Sequence, residues 1–190
     1  MINLICEELP DAVEVSGKSY SIATDFRDWI LFFDMLEDAN IDKKQKISLA
    51  LKWFTDKIPP DIIQAYNALI DFASCSGIHQ DKPESDSNDN FIRQPLFSWL
   101  YDSVYVLGAF RQIYNIDLIH IEYLHWWEFS ALFEALPDDT PVKKRIAYRN
   151  IDASEIRDSD RRNQVLKIQR EISFPTAPLS AEQTGAVFDF

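Results

Sequence analysis

The sequence predicts a mainly α fold: a single helical domain of about seven helices with a short N-terminal β-hairpin at about 13–22. Three observations carry this expectation. Residues 95–136 hold two apolar segments with three- and four-residue spacing, each broader than one buried face requires. Only 4 glycines occur in 190 residues, too few for the turns of an all-β sandwich. One segment, Val13–Ile22, alternates apolar and polar residues around Ser16-Gly17-Lys18, the pattern of a hairpin that turns on glycine. A lone two-stranded hairpin is marginal in water, so it must lean on helices.

After the hairpin, Thr24 can cap a helix running to about Glu37, with Asp25 and Asp28 where the helix dipole favours anions. Its expected inner face is Phe26, Trp29, Ile30, Phe33 and Leu36. Asp42 caps the next helix, to about Asp56, with Ile47, Leu51 and Phe54 inward and Lys43, Lys44 and Lys46 outward. Pro59-Pro60 ends it, and a restart at Pro60 or Asp61 suits proline's place in a first turn. The following stripe is Ile62, Ile63, Tyr66, Leu69, Ile70 and Ala73, stopped near Ser76-Gly77. Residues 78–94 are rich in Ser, Asn, Asp and charge and nearly lack large apolar groups. Such a segment cannot offset its ordering entropy by burial and reads as a flexible acidic linker interrupting the domain.

The organising stretch is Pro95–Leu136, two helices expected to break at Asn115–Ile119. The first carries Leu96, Leu100, Val104, Leu107, Phe110 and Tyr114 at helical spacing. The second carries Leu124, Trp127 and Ala131 on one side and Trp126, Phe129, Phe133 and Leu136 on the other. The expected core is Trp29, Leu100, Val104, Leu107, Phe110, Leu124, Trp126, Trp127 and Phe133. Pro137–Pro141 makes a turn and a cap. A basic amphipathic stretch, Val142–Asn150, follows with Lys143, Lys144, Arg145 and Arg149. The charged helix expected over Ser154–Ile172 has a thin stripe of Ile156, Val165, Ile168 and Ile172. The domain closes at about 172, and 173–190 reads as a disordered tail with an aromatic end, Val187, Phe188 and Phe190.

Composition excludes several functions. At 46% hydrophobic residues the chain can bury a core without disulfides, and Cys6 and Cys75 read as reduced thiols of an intracellular protein. A net charge of −12 opposes general affinity for nucleic acid or anionic membrane. No apolar run approaches the roughly 20 residues that span a bilayer, and the N-terminus lacks a basic, signal-like start. Charge is uneven: 24 acidic against 10 basic residues through position 140, then 7 against 9 beyond it. The basic run is either a solvated face or an electrostatic seam, with the acidic part of the chain or with another chain.

No constellation supports catalysis. Glycine-rich phosphate loops, Gly-x-Ser-x-Gly elbows and Cys/His pairs in context are missing, so the chain reads as no enzyme and carries no expected cofactor. His120 and His125 are five apart and fall on different helix faces. His125 with Glu128 has the spacing of helical di-iron bundles, but the partner helix offers only Asp102. A metal site is not expected. Trp126 and Trp127 read as core aromatics, not as a base-stacking platform.

Four segments together carry a resemblance: TDFRDW (Thr24–Trp29), AFRQIYNIDL (Ala109–Leu118), LHWWEF (Leu124–Phe129) and LFEALPDDT (Leu132–Thr140). In this order and spacing the chain resembles the bacteriophage "gene product fifteen" family of tailed phages and prophages, over about residues 10–172. LHWW followed by the Asp/Thr turn is the most specific part. Asn115 stands where glycine is common, and asparagine also tolerates the left-handed conformation. The resemblance implies a tail assembly chaperone in the host bacterial cytoplasm. It would bind the tape-measure protein, alongside a companion tail chaperone, while the tail tube polymerises. A structural tail or connector component kept in the virion, or an acidic inhibitor of a basic host protein, are the rival classes. Lys143, Lys144, Arg145, Arg149, Ile156, Val165, Ile168 and Ile172 are the expected partner-binding or self-association surface.

Overall fold

A computed structural model of the chain describes residues 6–76 and 96–175. The expected linker at 78–94 and the tail beyond Pro175 lie outside the described residues. Among the described residues the element order is β1 (Ala12–Val15), β2 (Lys18–Ser21), α1 (Phe26–Glu37), α2 (Lys43–Ala50), α3 (Ile62–Ala73), α4 (Trp99–Tyr114), α5 (Trp126–Glu134), α6 (Pro141–Asn150) and α7 (Ser159–Glu171). The fold is mainly α, as the sequence predicts.

β1 and β2 pair antiparallel, with Val13 opposite Tyr20 and Val15 opposite Lys18. Ser16 and Gly17 both take positive φ (52° and 71°), which two-residue hairpin turns require. The strand period sends Val13 and Val15 inward together against α3, and Val15 is 1% exposed. Further along, Ala23 N–H donates to Trp53 O at 2.8 Å and Thr55 N–H to Ser21 O at 3.0 Å, which ties the hairpin to the chain after α2.

The core is built where the segments carrying the family resemblance meet. Phe26 N–H donates to Leu124 O at 2.9 Å, and Trp126 N–H donates to Thr24 O at 2.8 Å, so α1 and α5 start side by side on a reciprocal backbone bridge. Phe26 stacks on Phe129 at 4.7 Å, and Phe129 stacks on Phe110 of α4 at 5.0 Å. Tyr114 Oη donates to Leu132 O at 2.9 Å. The paired tryptophans finish α3: Trp126 Nε1 donates to Ala73 O and Trp127 Nε1 to Phe72 O, each at 2.9 Å. Helix ends leave carbonyls without intrahelical donors, and the two indoles supply donors while burying their rings.

Several expectations about faces and boundaries are corrected. The cap of α1 is Asp25, whose carboxylate accepts Arg27 N–H at 2.9 Å; Thr24 instead pairs with the Tyr123 hydroxyl. The residue buried on α1 with Phe26 and Trp29 is Phe32, because Trp53 packs on it at 5.1 Å, whereas Phe33 is half-buried. The helix from Asp42 is capped as expected but ends at Ala50 and tightens into a 3-10 turn, Leu51–Trp53. Lys46, expected outward, donates to Leu36 O at 2.6 Å and closes the end of α1. α3 begins at Ile62 after the Asp61 cap and is rotated from its expected face. Ala65, Leu69, Phe72 and Ala73 are buried, while Ile62 and Ile63 are 37% and 60% exposed. The small side chain of Ala65, fully buried, suits the close approach of β1.

The break between α4 and α5 is longer than expected, from Asn115 to His125. Asn115 takes a left-handed φ of 56°, and Asp117 builds the next turn by accepting Ile119 N–H at 3.1 Å and pairing with His120 and Arg111. The single helix expected over Ser154–Ile172 is interrupted too. Asp152 accepts Ser154 N–H and caps a 3-10 turn (Ala153–Glu155), then Asp158 accepts Arg161 N–H and starts α7. Side chains that bond local backbone stop a helix as readily as they start one.

Candidate functional site

α4 packs on two sides, and they differ. One side meets α6. Asp102, fully buried, accepts from Arg149 Nη1 at 2.6 Å, Arg149 Nη2 at 3.0 Å and Arg145 Nε at 3.2 Å, with its own helix start adding Ser98 N–H at 3.2 Å. The Arg145 guanidinium lies over Tyr105 at 4.3 Å, and that of Arg149 over Phe174 at 4.0 Å. Both guanidiniums are therefore committed, and the Arg149 side chain is 7% exposed. The basic stretch of α6 is thus seamed, at Arg145 and Arg149, to an acid of the same chain. α7 packs against α6: Gln169 Nε2 donates to Tyr148 O and Ile151 O, and Arg149 Nε to Ile172 O at 3.0 Å.

The other side of α4 faces α1 across an open cleft of about 580 Å³. Phe26, Phe129 and Val106 form its floor, Ile30 and Leu31 one wall, and Leu100, Val104 and Leu107 the other. Leu31, Val104 and Ile119 around it are 43%, 64% and 59% exposed, a contiguous apolar surface left to water. The lining runs along α1 from Arg27 to Asp34, which at about 1.5 Å per residue is two helical turns. The floor is rigid because its aromatic rings are locked in the stack of Phe26, Phe129 and Phe110.

The two charged residues of the cleft are unlike. Arg27 donates to both oxygens of Asp25 (3.1 and 3.0 Å), to Leu118 O at 3.2 Å and to Ile121 O at 2.6 Å, so its charge is spent holding the loop that carries Leu118 and Ile119. Asp34 has no cation and no side-chain donor among the described residues. Burial, and then the neighbouring Glu37 carboxylate, push it up to about 6. The last turn of α1 carries no basic residue of its own, and Lys46, which reaches it from α2, donates to Leu36 O.

The sequence-predicted site residues are dispersed. Arg145 and Arg149 sit in the seam, Lys143 donates to Glu134 O at 3.1 Å over the Phe133 ring, and Lys144 is exposed. Val165 is 6% exposed beneath α6, while Ile156, Ile168 and Ile172 are half-buried. Of the expected core, Trp29, Phe110, Leu124, Trp126 and Trp127 are buried. Leu100, Leu107 and Phe133 are half-buried, and Val104 is exposed because turning Asp102 inward turns Val104 toward the cleft. Spacing alone does not single out Leu31, Asp34 or Leu118. The one signal for them is that the apolar run Ile30–Phe33 is broader than a single packed face uses. His125 is structural: its Nδ1 accepts Trp127 N–H at 3.0 Å, which leaves Nε2 to donate to Pro10 O at 3.1 Å, and burial holds the ring below its usual pKa, in the neutral form. Among the described residues no cluster of three metal-ligating side chains occurs, and no helix is long and apolar enough to cross a membrane.

Compared with known families, the chain matches the family described as Bacteriophage Gp15 protein over residues 5–174. No curated protein and no solved structure matches it. The match spans nearly all of the chain: it belongs to the Bacteriophage Gp15 family, which makes it a phage structural or morphogenesis protein.

Proposed function

We propose that this Gp15-family chain is a non-enzymatic tail assembly chaperone. It binds the tape-measure protein in the host bacterial cytoplasm, together with a companion tail chaperone, and leaves before the virion is complete. The observation that carries this reading is the open cleft between α1 and α4. A long amphipathic helical client offers repeated apolar side chains that must be kept from self-association until the tube surrounds them. A rigid two-turn apolar cleft on a soluble body meets that need by the helix-in-groove mode. One short groove gives contacts weak enough to release, and a net charge of −12 keeps loaded complexes apart.

Two measurements made together test the reading. The tagged chain is purified from infected cells, and purified virions are analysed by mass spectrometry. The expected result is copurification of the tape-measure protein from cells and absence of this chain from particles. Stoichiometric retention in the particle would instead make it a structural component of the tail.

A further inference from the structure

We propose that the α1–α4 cleft takes an amphipathic helix that carries a lysine or arginine beside its apolar face, with that cation seated against Asp34. The inference rests on the reading above only in treating the cleft as a partner site; it adds the chemistry of the occupant.

Three observations select this guest over an uncharged apolar one. Asp34 is a half-buried carboxylate in an otherwise apolar wall and has no cation among the described residues, an arrangement that costs stability until a positive charge arrives. The cleft's own cation cannot serve, since Arg27 is fully engaged by Asp25 and by the Leu118 and Ile121 carbonyls. Lys46, at the same end of α1, donates to Leu36 O. The third observation is an internal precedent. On its other side, α4 already binds a basic amphipathic helix, α6, with Val142 fully buried and Arg145 and Arg149 seated on Asp102. The cleft repeats that recipe of apolar wall and inward acid, with the basic helix missing. The two-turn span of the lining admits two or three apolar anchors at three- and four-residue spacing, with the cation one turn away.

The test uses the full-length chain and two synthetic helical peptides with one shared apolar face, one flanked by lysines and one by glutamates. Binding is followed by fluorescence anisotropy. The lysine peptide is expected to bind, and the glutamate peptide to bind at least about tenfold more weakly. Asp34→Asn should weaken the lysine peptide about fivefold and leave the glutamate peptide unchanged or improved. Val104→Ser, which removes the apolar contact without adding charge, should weaken the lysine peptide by about threefold or more, with circular dichroism confirming a folded chain. Equal binding of both peptides, or indifference to Asp34→Asn and Val104→Ser, overturns the inference. So does tighter lysine-peptide binding on Phe188→Ser with Phe190→Ser, which would make the chain's own C-terminus the occupant. A self-association that Val104→Ser dissolves would name a second copy and overturn it as well. If the tape-measure protein still copurifies with both cleft variants, this inference falls and the chaperone reading stands. If it copurifies with none, including the parent, the chaperone reading falls while the peptide result still decides the cleft.

Discussion

The two sides of α4 present the same ingredients in different states of completion. Toward α6, an acid is buried at zero exposure, three side-chain donors reach it from Arg145 and Arg149, and apolar neighbours close over it. Toward α1, an acid is half-buried, no cation reaches it among the described residues, and the apolar neighbours remain wet. Stability accounts for the first side. It does not account for the second, where exposed Val104 and Leu31 and an uncompensated Asp34 all cost the isolated chain something. A surface that is locally unfavourable in isolation and complementary to a basic amphipathic helix is what a reversible docking site requires.

The comparison can be broken most easily at its closed side. Asp102→Ala strands two guanidiniums, one of them nearly buried, and should cost about 3–5 kcal/mol in urea denaturation. Replacing Asp102, Arg145 and Arg149 together by leucine and methionines should recover most of that loss. A single-variant cost below about 1 kcal/mol would mean the seam is no more complete than the cleft. Next in size, Trp126→Phe keeps an aromatic ring but leaves the Ala73 carbonyl without its indole donor. A loss of about 1–3 kcal/mol is expected, read by the same method.

Effects on the open side are smaller and of opposite sign. The Asp34 carboxyl is pushed up to about 6 from an ordinary 3.8, so the folded chain holds this proton more tightly than the unfolded chain. Its contribution is fully present below 3.8 and is lost as pH rises through about 6. Asp34→Asn should therefore stabilise the chain at pH 7 by up to about 1 kcal/mol, solvent screening holding the gain down. The gain should fade on titration to pH 4, and a constant gain across that range would assign it to something other than this charge. Smallest of all, Val104→Ser should change stability by less than about 0.5 kcal/mol, against about 3–5 kcal/mol for Phe110→Ala on the buried face of the same helix. Similar costs at the two positions would erase the distinction between the faces.

Much of this architecture was legible in the residues. The hairpin, the seven helices of the described residues and the Asp42 cap follow from period and local chemistry, and Trp126 and Trp127, adjacent in an aromatic-rich helix, are both buried. Faces were harder, for a physical reason. Where apolar residues occupy most of a helix surface, as in Ile30–Phe33 or Leu96–Phe110, spacing alone admits two rotations. The choice falls to distant partners: Trp53 selects Phe32, and Arg149 with Arg145 draws Asp102 inward and so turns Val104 out. The second of these also explains the α6 expectation. Its cations could equally have met solvent, another chain or an acid of this chain, and the acid was a single Asp inside an apolar helix. The cleft is not legible in the sequence because it is defined by what does not cover it, and periodicity carries no record of a missing neighbour.

The most direct test of the account places a photoreactive benzoylphenylalanine at Val104 of the full-length chain during tail assembly. A second carrier at Ile63, an equally exposed apolar position on α3, serves as the comparison. A crosslink to the tape-measure protein is expected from Val104 and none from Ile63. Crosslinking from Ile63, or from the exposed Lys144 of α6, with Val104 silent, would contradict it.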